Sequence, residues 1–198
     1  MFTGIIETLG TVTRLQKEGN NLHISVESSI SSSFKIDQSV AHNGICLTVV
    51  ALDGNVHTVT AIHETLIKTN LEHLRVGSKV NLERSITANT RIDGHFVQGH
   101  VDTTAHCIKI EEVSGSWYFT FEYDKSVEYI LVDKGSVCID GTSLTIVESE
   151  HPTFSVAIIP YTYQHTLFGQ YQISNVVNLE FDIIGKYISK LAKHYFVK

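Results

Sequence analysis

The sequence predicts an all-β protein, with two similar barrels in tandem and one helix at the C-terminus. Three observations lead to this fold class. The two halves of the 198-residue chain repeat each other. Short runs rich in Val, Ile and Thr fill both halves, and Gly, Asn or Asp separates these runs. The last stretch of the chain has the apolar spacing that is typical of a helix.

The internal repeat keeps one register over most of each half. HNGICLTVV at 42–50 resembles IDGTSLTIV at 139–147, an offset of 139 − 42 = 97 residues. The run VNLE occurs at 80–83 and again at 177–180, with the same offset. A solenoid would need more and shorter copies, so two copies near a hundred residues each indicate two similar domains.

The copies also match at their beginnings, which places the domain boundaries. FTGII at 2–6 resembles VQGHV at 97–101, with an offset of 97 − 2 = 95 residues. We therefore predict an N-terminal barrel over residues 1–96 and a C-terminal barrel over residues 97–184. A separate helix is expected over residues 185–198.

The strands follow from the period of the short runs. In the first half these are GTVTRLQ, NLHISVE, NGICLTVVAL, GNVHTVTAI and GSKVNLER. In the second half they include SWYFTFEY, KGSVCID, TSLTIVE, TFSVAII and SNVVNLEF. Many alternate between apolar and polar residues, which predicts antiparallel strands, and DGN at 53–55 predicts a hairpin turn. A sheet this small avoids open edges by closing, so each half is predicted to be a barrel.

The C-terminal stretch IIGKYISKLAKHYF is predicted to be an amphipathic helix. One helical face carries the residues at i, i+3, i+4, i+7 and i+11, namely Ile184, Tyr187, Ile188, Leu191 and Tyr195. A short helix needs to bury such a stripe to be stable. It either packs on its own barrel or pairs with the same helix of another subunit.

Composition excludes several classes of function. The net charge is −6 and no Lys/Arg cluster occurs, so neither nucleic acid nor an anionic membrane is an expected partner. The N-terminus lacks the features of a signal peptide, and no apolar stretch reaches membrane-spanning length. Three widely spaced cysteines indicate reduced thiols in a cytoplasmic protein.

Two histidines in DGHFVQGH at 93–100 are candidates for chemistry. Residues five apart lie on opposite faces of a strand and about 140° apart on a helix, so His95 and His100 do not form a metal site by spacing. We predict no metal site. His100 aligns with Ile5, so the fold accepts an aliphatic residue there and the imidazole is a candidate for a chemical role. The alternative is that both are ordinary surface or turn histidines.

Comparing the copies separates shared positions from distinctive ones. Cys46 aligns with Ser143, and Asp182 aligns with Ser85. A reactive group present in one copy alone is a candidate for catalysis, whereas a shared polar residue serves the fold or a common ligand. The shared threonine pairs are Thr48 with Thr145 and Thr65 with Thr162. A protein with two similar pockets suits a reaction between two like molecules.

Several segments together resemble the riboflavin synthase family. They are MFTGII, SVAHNGICLTV, GHFVQGHVD, IDGTSLTI and VNLEFDIIGKY, in order over nearly the whole chain. The resemblance implies two six-stranded Greek-key barrels and a homotrimer held by the C-terminal helices. It also implies the last step of riboflavin biosynthesis, without a cofactor. Two molecules of 6,7-dimethyl-8-ribityllumazine exchange a four-carbon unit, giving riboflavin and 5-amino-6-(D-ribitylamino)uracil.

The resemblance further implies one lumazine pocket in each half, with segment 99–101 serving the first pocket and segment 4–6 serving the second. The first pocket is expected to comprise Cys46, Leu47, Thr48, Thr60, Ala61, Ile62, His63, Glu64, Thr65, Gly99, His100 and Val101. The second is expected to comprise Gly4, Ile5, Ile6, Lys134, Ser143, Leu144, Thr145, Ala157, Ile158, Ile159, Pro160, Tyr161 and Thr162. The sequence departs from many relatives at Tyr161, where they carry an acidic residue.

The implied reaction requires proton transfer and a nucleophile. One lumazine loses a proton from its C7 methyl group, and histidine is the usual side chain for this task, so His100 and His95 are the candidates. Cys46 is a candidate for addition to a lumazine ring, Ser39 for orienting water and Asp182 for holding a positively polarised partner. The alternative is a non-catalytic lumazine- or flavin-binding protein of the same fold. The complete GHFVQGH segment and Cys46 favour the enzyme.

Overall fold

A computed structural model of the protein, which describes residues 1–126 and 131–196, contains the two closed barrels and the helix that the sequence predicts. The first barrel consists of β1 (Thr8–Glu18), β2 (Asn21–Glu27), β3 (Ser39–His42), β4 (Ile45–Asp53), β5 (Val56–Ala61) and β6 (Lys79–Arg84). The second consists of β7 (Thr103–Val113), β8 (Ser116–Tyr123), β9 (Ser136–Ile139), β10 (Thr142–Glu150), β11 (Thr153–Ile158) and β12 (Val176–Phe181). The described helices are α1 (His63–Lys68), α2 (Pro160–His165) and α3 (Ile183–Phe196).

Both barrels have the same antiparallel topology. The strand order is β1-β2-β5-β4-β3-β6 in the first and β7-β8-β11-β10-β9-β12 in the second, each closed between its first and last strand. This is the six-stranded Greek-key arrangement expected from the sequence, and the turn between Asp53 and Val56 joins β4 to β5 as predicted. The six-residue helices α1 and α2 were not predicted, because they are too short for a periodic pattern.

Equivalent bulges bend the strands of both barrels. The register shifts at Val12–Arg14 in β1 and Val49–Ala51 in β4. It shifts again at the matching positions Cys107–Lys109 in β7 and Ile146–Glu148 in β10. A bulge increases the local twist of a strand, which allows a six-stranded sheet to close on itself.

The two barrel cores differ in chemistry. The second core contains buried phenylalanines in mutual ring contact, among them Phe119 and Phe154. The residue of the first barrel that is equivalent to Phe154 is His57. Its Nε2 lies 2.7 Å from Nε2 of His42. Burial, followed by the charge of His57, lowers the pKa of His42 to about 3, and burial lowers that of His57 to about 4. Both imidazoles are therefore neutral near neutral pH.

The barrels meet along an approximate twofold axis. Asn81 Nδ2 donates to the carbonyl of Asp140 at 2.8 Å, and the equivalent Asn178 Nδ2 donates to the carbonyl of Asn43 at 2.9 Å. The turn at Gly44, with a φ of +75°, passes so close to Gly141 that an added Cβ would lie 2.6 Å from its nitrogen. The contact therefore requires glycine.

Asp140 is a buried acid where the first copy has Asn43. Its carboxylate accepts from Asn70 Nδ2 at 3.0 Å, from Asn178 N at 2.7 Å and from Tyr171 Oη at 2.6 Å. Burial raises its pKa to about 7 in spite of these bonds. The interface between the barrels thus contains a carboxyl that titrates near neutral pH.

Helix α3 leaves its apolar stripe uncovered within one chain. The five stripe residues are between 56% and 69% exposed. The helix begins at Ile183, two residues before the boundary placed from the sequence. Asp182 caps the first turn, where its Oδ1 accepts from Ile184 N at 2.9 Å. An ion pair connects the helix to the second barrel, since Lys186 Nζ lies 2.5 Å from Asp102 Oδ2. Among the described residues, no helix has both the length and the apolar character needed to cross a membrane.

Replacing Asp140 by Asn should remove a pH dependence of stability. A carboxyl whose folded pKa is raised stabilises the fold fully below its unfolded pKa, and this contribution is lost as the pH rises through about 7. Wild-type Tm should therefore fall between about pH 5 and about pH 8 by roughly 4 °C or more relative to Asp140→Asn. Differential scanning calorimetry measures this. The matched change at the equivalent position, Asn43→Asp, should steepen the fall, and parallel curves for Asp140→Asn and wild type would contradict the assignment.

Candidate functional site

The first candidate site forms where the segment that leads into the second barrel crosses the first barrel. Cys46 N donates to the carbonyl of Gly99 at 2.8 Å. Gly99 has a φ of +79°, and an added Cβ would lie 2.7 Å from Cys46 Cβ and 2.8 Å from the Phe2 ring. Only glycine fits at this crossing. The residue that follows Gly99 in the sequence is His100, and its side chain is exposed. We call Cys46, Thr48, Gly99 and His100 the first site.

The second candidate site repeats this geometry with the copies exchanged. Ser143 N donates to the carbonyl of Gly4 at 2.7 Å. Gly4 has a φ of +78°, and an added Cβ would lie 2.5 Å from Ser143 Cβ. We call Ser143, Thr145, Gly4 and Ile5 the second site. In both sites a segment of one copy therefore lies against a strand of the other barrel.

A buried carboxylate anchors each crossing segment to its own barrel. Glu83 accepts from Thr3 N at 2.7 Å, Thr3 Oγ1 at 2.8 Å and Gly4 N at 3.0 Å. Glu180 accepts from the backbone N–H groups of Gln98, Gly99 and His100 at 2.6, 2.9 and 2.8 Å. Burial raises the pKa of both carboxyls, and the N–H bonds oppose that shift.

The two histidines of DGHFVQGH lie at different sites. His95 Nδ1 is 2.6 Å from Ser143 Oγ, and its backbone N–H donates to the carbonyl of Thr3 at 3.1 Å. His95 therefore belongs with the second site, whereas His100 belongs with the first. Burial lowers the pKa of His95, and the negative charge of Asp182 opposes this shift. Asp182 also caps α3, where its Oδ1 accepts from Ile184 N.

The strands place other predicted residues by alternation. On β4, Cys46 and Thr48 face out of the barrel, and Leu47 between them faces the core. Ser39 is half-buried at the start of β3 and pairs with Thr48. The predicted residues whose side chains are buried in or packed against the cores are Leu47, Ala61, Val101, Leu144 and Ile158. Leu47, Ala61 and Ile158 are buried, so ligand contact by these three would have to use their backbone, whereas Val101 and Leu144 are half-buried.

The segments around α1 and α2 lie mainly at the surface. Thr65 and Thr162 are half-buried, and their carbonyls accept from Thr69 and Thr166 at 2.7 Å. The exposed members of the predicted pockets are Ile5, Thr48, Ile62, His63, Glu64, His100, Lys134, Thr145, Ala157, Ile159, Pro160 and Tyr161. Ile6 is half-buried. The predicted sites are therefore open surfaces on the outside of each barrel.

Sequence reasoning missed three residues at these sites. The sequence did contain a signal for Glu83 and Glu180, because VNLE recurs at the repeat offset. That recurrence indicates the alignment of the two copies and does not by itself reveal a role for the glutamates. His23 was also missed. Its Nδ1 lies 2.8 Å from Thr60 Oγ1 and its Nε2 lies 2.7 Å from the Glu18 carboxylate. Because the carboxylate accepts from Nε2, a neutral His23 ring accepts from the Thr60 hydroxyl at Nδ1.

Comparison with known proteins gives a consistent result. The family model for the lumazine binding domain matches this chain twice, over residues 3–85 and 98–182. The chain is 44% identical to riboflavin synthase of Bacillus subtilis (strain 168) over 189 residues, which is 95% of this chain and 88% of that protein. It is 39% identical to riboflavin synthase of Schizosaccharomyces pombe, covering 98% and 94% of the two chains.

Solved structures show the same fold. LumP complexed with 6,7-dimethyl-8-(1'-D-ribityl)lumazine superposes with a TM-score of 0.83 at 23% identity, covering 91% of this chain and 99% of that one. LumP complexed with riboflavin gives a TM-score of 0.84 at 22% identity. At such identities the likeness concerns the fold alone. The two domain matches and the full-length relatives establish that this chain belongs to the riboflavin synthase family of lumazine-binding proteins.

Proposed function

We propose that this protein is a riboflavin synthase. It binds two molecules of 6,7-dimethyl-8-ribityllumazine, transfers a four-carbon unit from one to the other, and releases riboflavin and 5-amino-6-(D-ribitylamino)uracil. It is thus a transferase that works without a cofactor, in the cytoplasm. The observation that carries the proposal is the pair of equivalent sites, each built from a strand of one barrel and the crossing segment of the other copy.

A dismutation needs two like molecules held in different chemical surroundings. The shared backbone of the two sites suits the same ligand twice. Their reactive groups differ, since the first site has Cys46 and His100 and the second has Ser143 in contact with His95. One lumazine can therefore act as donor and the other as acceptor of the four-carbon unit.

His100 is the proposed group for proton transfer at the first site. The C7 methyl of a lumazine is acidic because its anion is delocalised into the ring, and an imidazole titrates near neutral pH. His100 is exposed while its backbone is held by Glu180, so the ring is accessible to a ligand that lies on Cys46. Cys46 is half-buried at the same crossing and is the proposed nucleophile.

We also propose that the active form is a homotrimer held by α3, in which the first site of one subunit faces the second site of the next. The uncovered stripe of α3 supports the assembly, because an exposed apolar surface of this kind marks an interface. Around the sites, Ile5, Ile62, Ile159 and Tyr161 are between 46% and 69% exposed. A ligand and a neighbouring subunit would cover them.

The competing function is a binding protein without catalysis. The LumP structures share the fold and were solved as complexes with a lumazine, riboflavin and flavin mononucleotide, so the fold alone does not distinguish binding from catalysis. The reactive groups at both sites favour the enzyme.

Incubation with 6,7-dimethyl-8-ribityllumazine decides between them. We expect the absorbance of riboflavin to appear, with one riboflavin and one pyrimidine formed from every two lumazines consumed. A protein that binds the lumazine, as measured by a change in its fluorescence, and forms no riboflavin would contradict the enzymatic function.

Replacing His100 by Ile should separate binding from turnover. The variant should fold, since the equivalent position is Ile5, and should still bind riboflavin. Its turnover should fall by roughly 10² or more, the usual scale for a lost general acid or base. Steady-state riboflavin formation measures this, with His106→Ile as the matched control, because His106 is an exposed histidine on β7 outside both sites. Near-normal turnover of His100→Ile would mean that the imidazole has no chemical role.

A further inference from the structure

Glu180 is placed to control the first site without touching a ligand. Its side chain lies on β12 and the residue is 3% exposed. Both carboxylate oxygens are directed at the segment that carries His100: Oε1 accepts from Gln98 N at 2.6 Å, and Oε2 accepts from Gly99 N at 2.9 Å and His100 N at 2.8 Å. Three consecutive N–H groups thus converge on a single anion.

This convergence depends on the backbone of Gly99. Successive N–H groups of an extended strand point in opposite directions, whereas a left-handed residue turns them toward the same side. Gly99 has a φ of +79° and no room for a Cβ against Cys46. The carboxylate therefore stabilises the one backbone conformation in which the segment both lies on Cys46 and presents the His100 side chain outward.

Glu83 makes the equivalent backbone contacts at the second site, where the anchored segment carries no reactive side chain. It holds Thr3 and Gly4 in the equivalent geometry, and the residue that follows is Ile5. The anchoring is therefore a property of the fold in both copies. Of the two crossings, only the one at the first site carries an imidazole on the anchored backbone.

We propose that Glu180 is a positioning residue for catalysis, which holds His100 over the first site through the backbone N–H groups of residues 98–100. This role rests on the proposed function and names how its proton-transfer group is oriented. Proton transfer is sensitive to small displacements, so loosening the segment lowers kcat more than it weakens ligand binding, because Cys46 and Thr48 stay in place on β4.

A double-mutant cycle tests the role. Glu180→Gln keeps the size of the side chain but replaces one acceptor oxygen by an NH2 group, so at least one N–H loses its partner. We expect kcat to fall by roughly 10-fold or more and KM to change by less than about threefold. In the His100→Ile background the same change should lower kcat by less than about twofold, because the group that it positions is gone.

Glu83→Gln is the matched control. It disturbs the equivalent anchor, which does not hold His100, so His100→Ile should lower its kcat by the same factor as in wild type. Additive effects of Glu180→Gln and His100→Ile, or a Glu180→Gln variant with kcat within about twofold of wild type, would overturn the role of Glu180. An active wild type with that result leaves the proposed function standing, whereas a wild type that forms no riboflavin overturns both.

Hydrogen exchange of wild type keeps the role testable if Glu180→Gln does not fold. The amides of residues 98–100 should exchange slowly because all three donate to Glu180. Exchange of these amides as fast as that of an unprotected peptide would show that the carboxylate does not hold the segment.

Discussion

The structure depends on two buried carboxylates that each hold one crossing segment. Glu83 and Glu180 anchor residues 3–4 and 98–100 to their own barrels, and the carbonyls of Gly4 and Gly99 then bind strand β10 or β4 of the other barrel. A carboxylate in a buried place is costly unless it is hydrogen-bonded, and here the backbone N–H groups supply these bonds. Each barrel is therefore incomplete at its site without the other.

The rest of the interface follows the same exchange. Phe2 and Val97 pair with each other through two backbone bonds of 2.7 and 3.1 Å, so the two leading segments are joined at their starts. Asn81 and Asn178 each reach across to a carbonyl of the other copy. Because the contacts are reciprocal, a single duplicated sequence explains both halves. The few positions where the copies differ, such as Cys46 with Ser143, are the candidates for the chemistry.

Much of this fold could be predicted from the sequence. The duplication, the turn after Asp53 and the apolar stripe of α3 are local or periodic signals, and the structure contains all three. The family resemblance supplied the exchange of segments, which periodicity does not reveal. The contact between His95 and Ser143 joins residues 48 apart, and His95 lies in the irregular segment between β6 and β7, so spacing gave no indication of it.

The role of the glutamates escaped prediction for a physical reason. In VNLE, Val80 and Leu82 face the barrel core. Asn81 reaches the other copy and Glu83 holds the segment that crosses to it, so all four are buried. Alternation in sequence usually separates a buried face from a solvated one, and a polar residue on the second face is taken as exposed. Here the second face is an interface that only the folded pair of barrels creates. The repeat at 177–180 was the one available signal.

The central claim is that turnover needs one site of each kind, paired between subunits. Thr48 and Thr145 are exposed at equivalent positions of the two sites, so Thr48→Tyr should block the first and Thr145→Tyr the second. Each variant alone should be inactive, provided that its sedimentation and circular dichroism match those of wild type. When the two are unfolded and refolded together, the proposed trimer would in some mixtures of subunits place one open first site against one open second site. We predict that riboflavin formation returns in part, and its complete absence from the mixture would contradict the account.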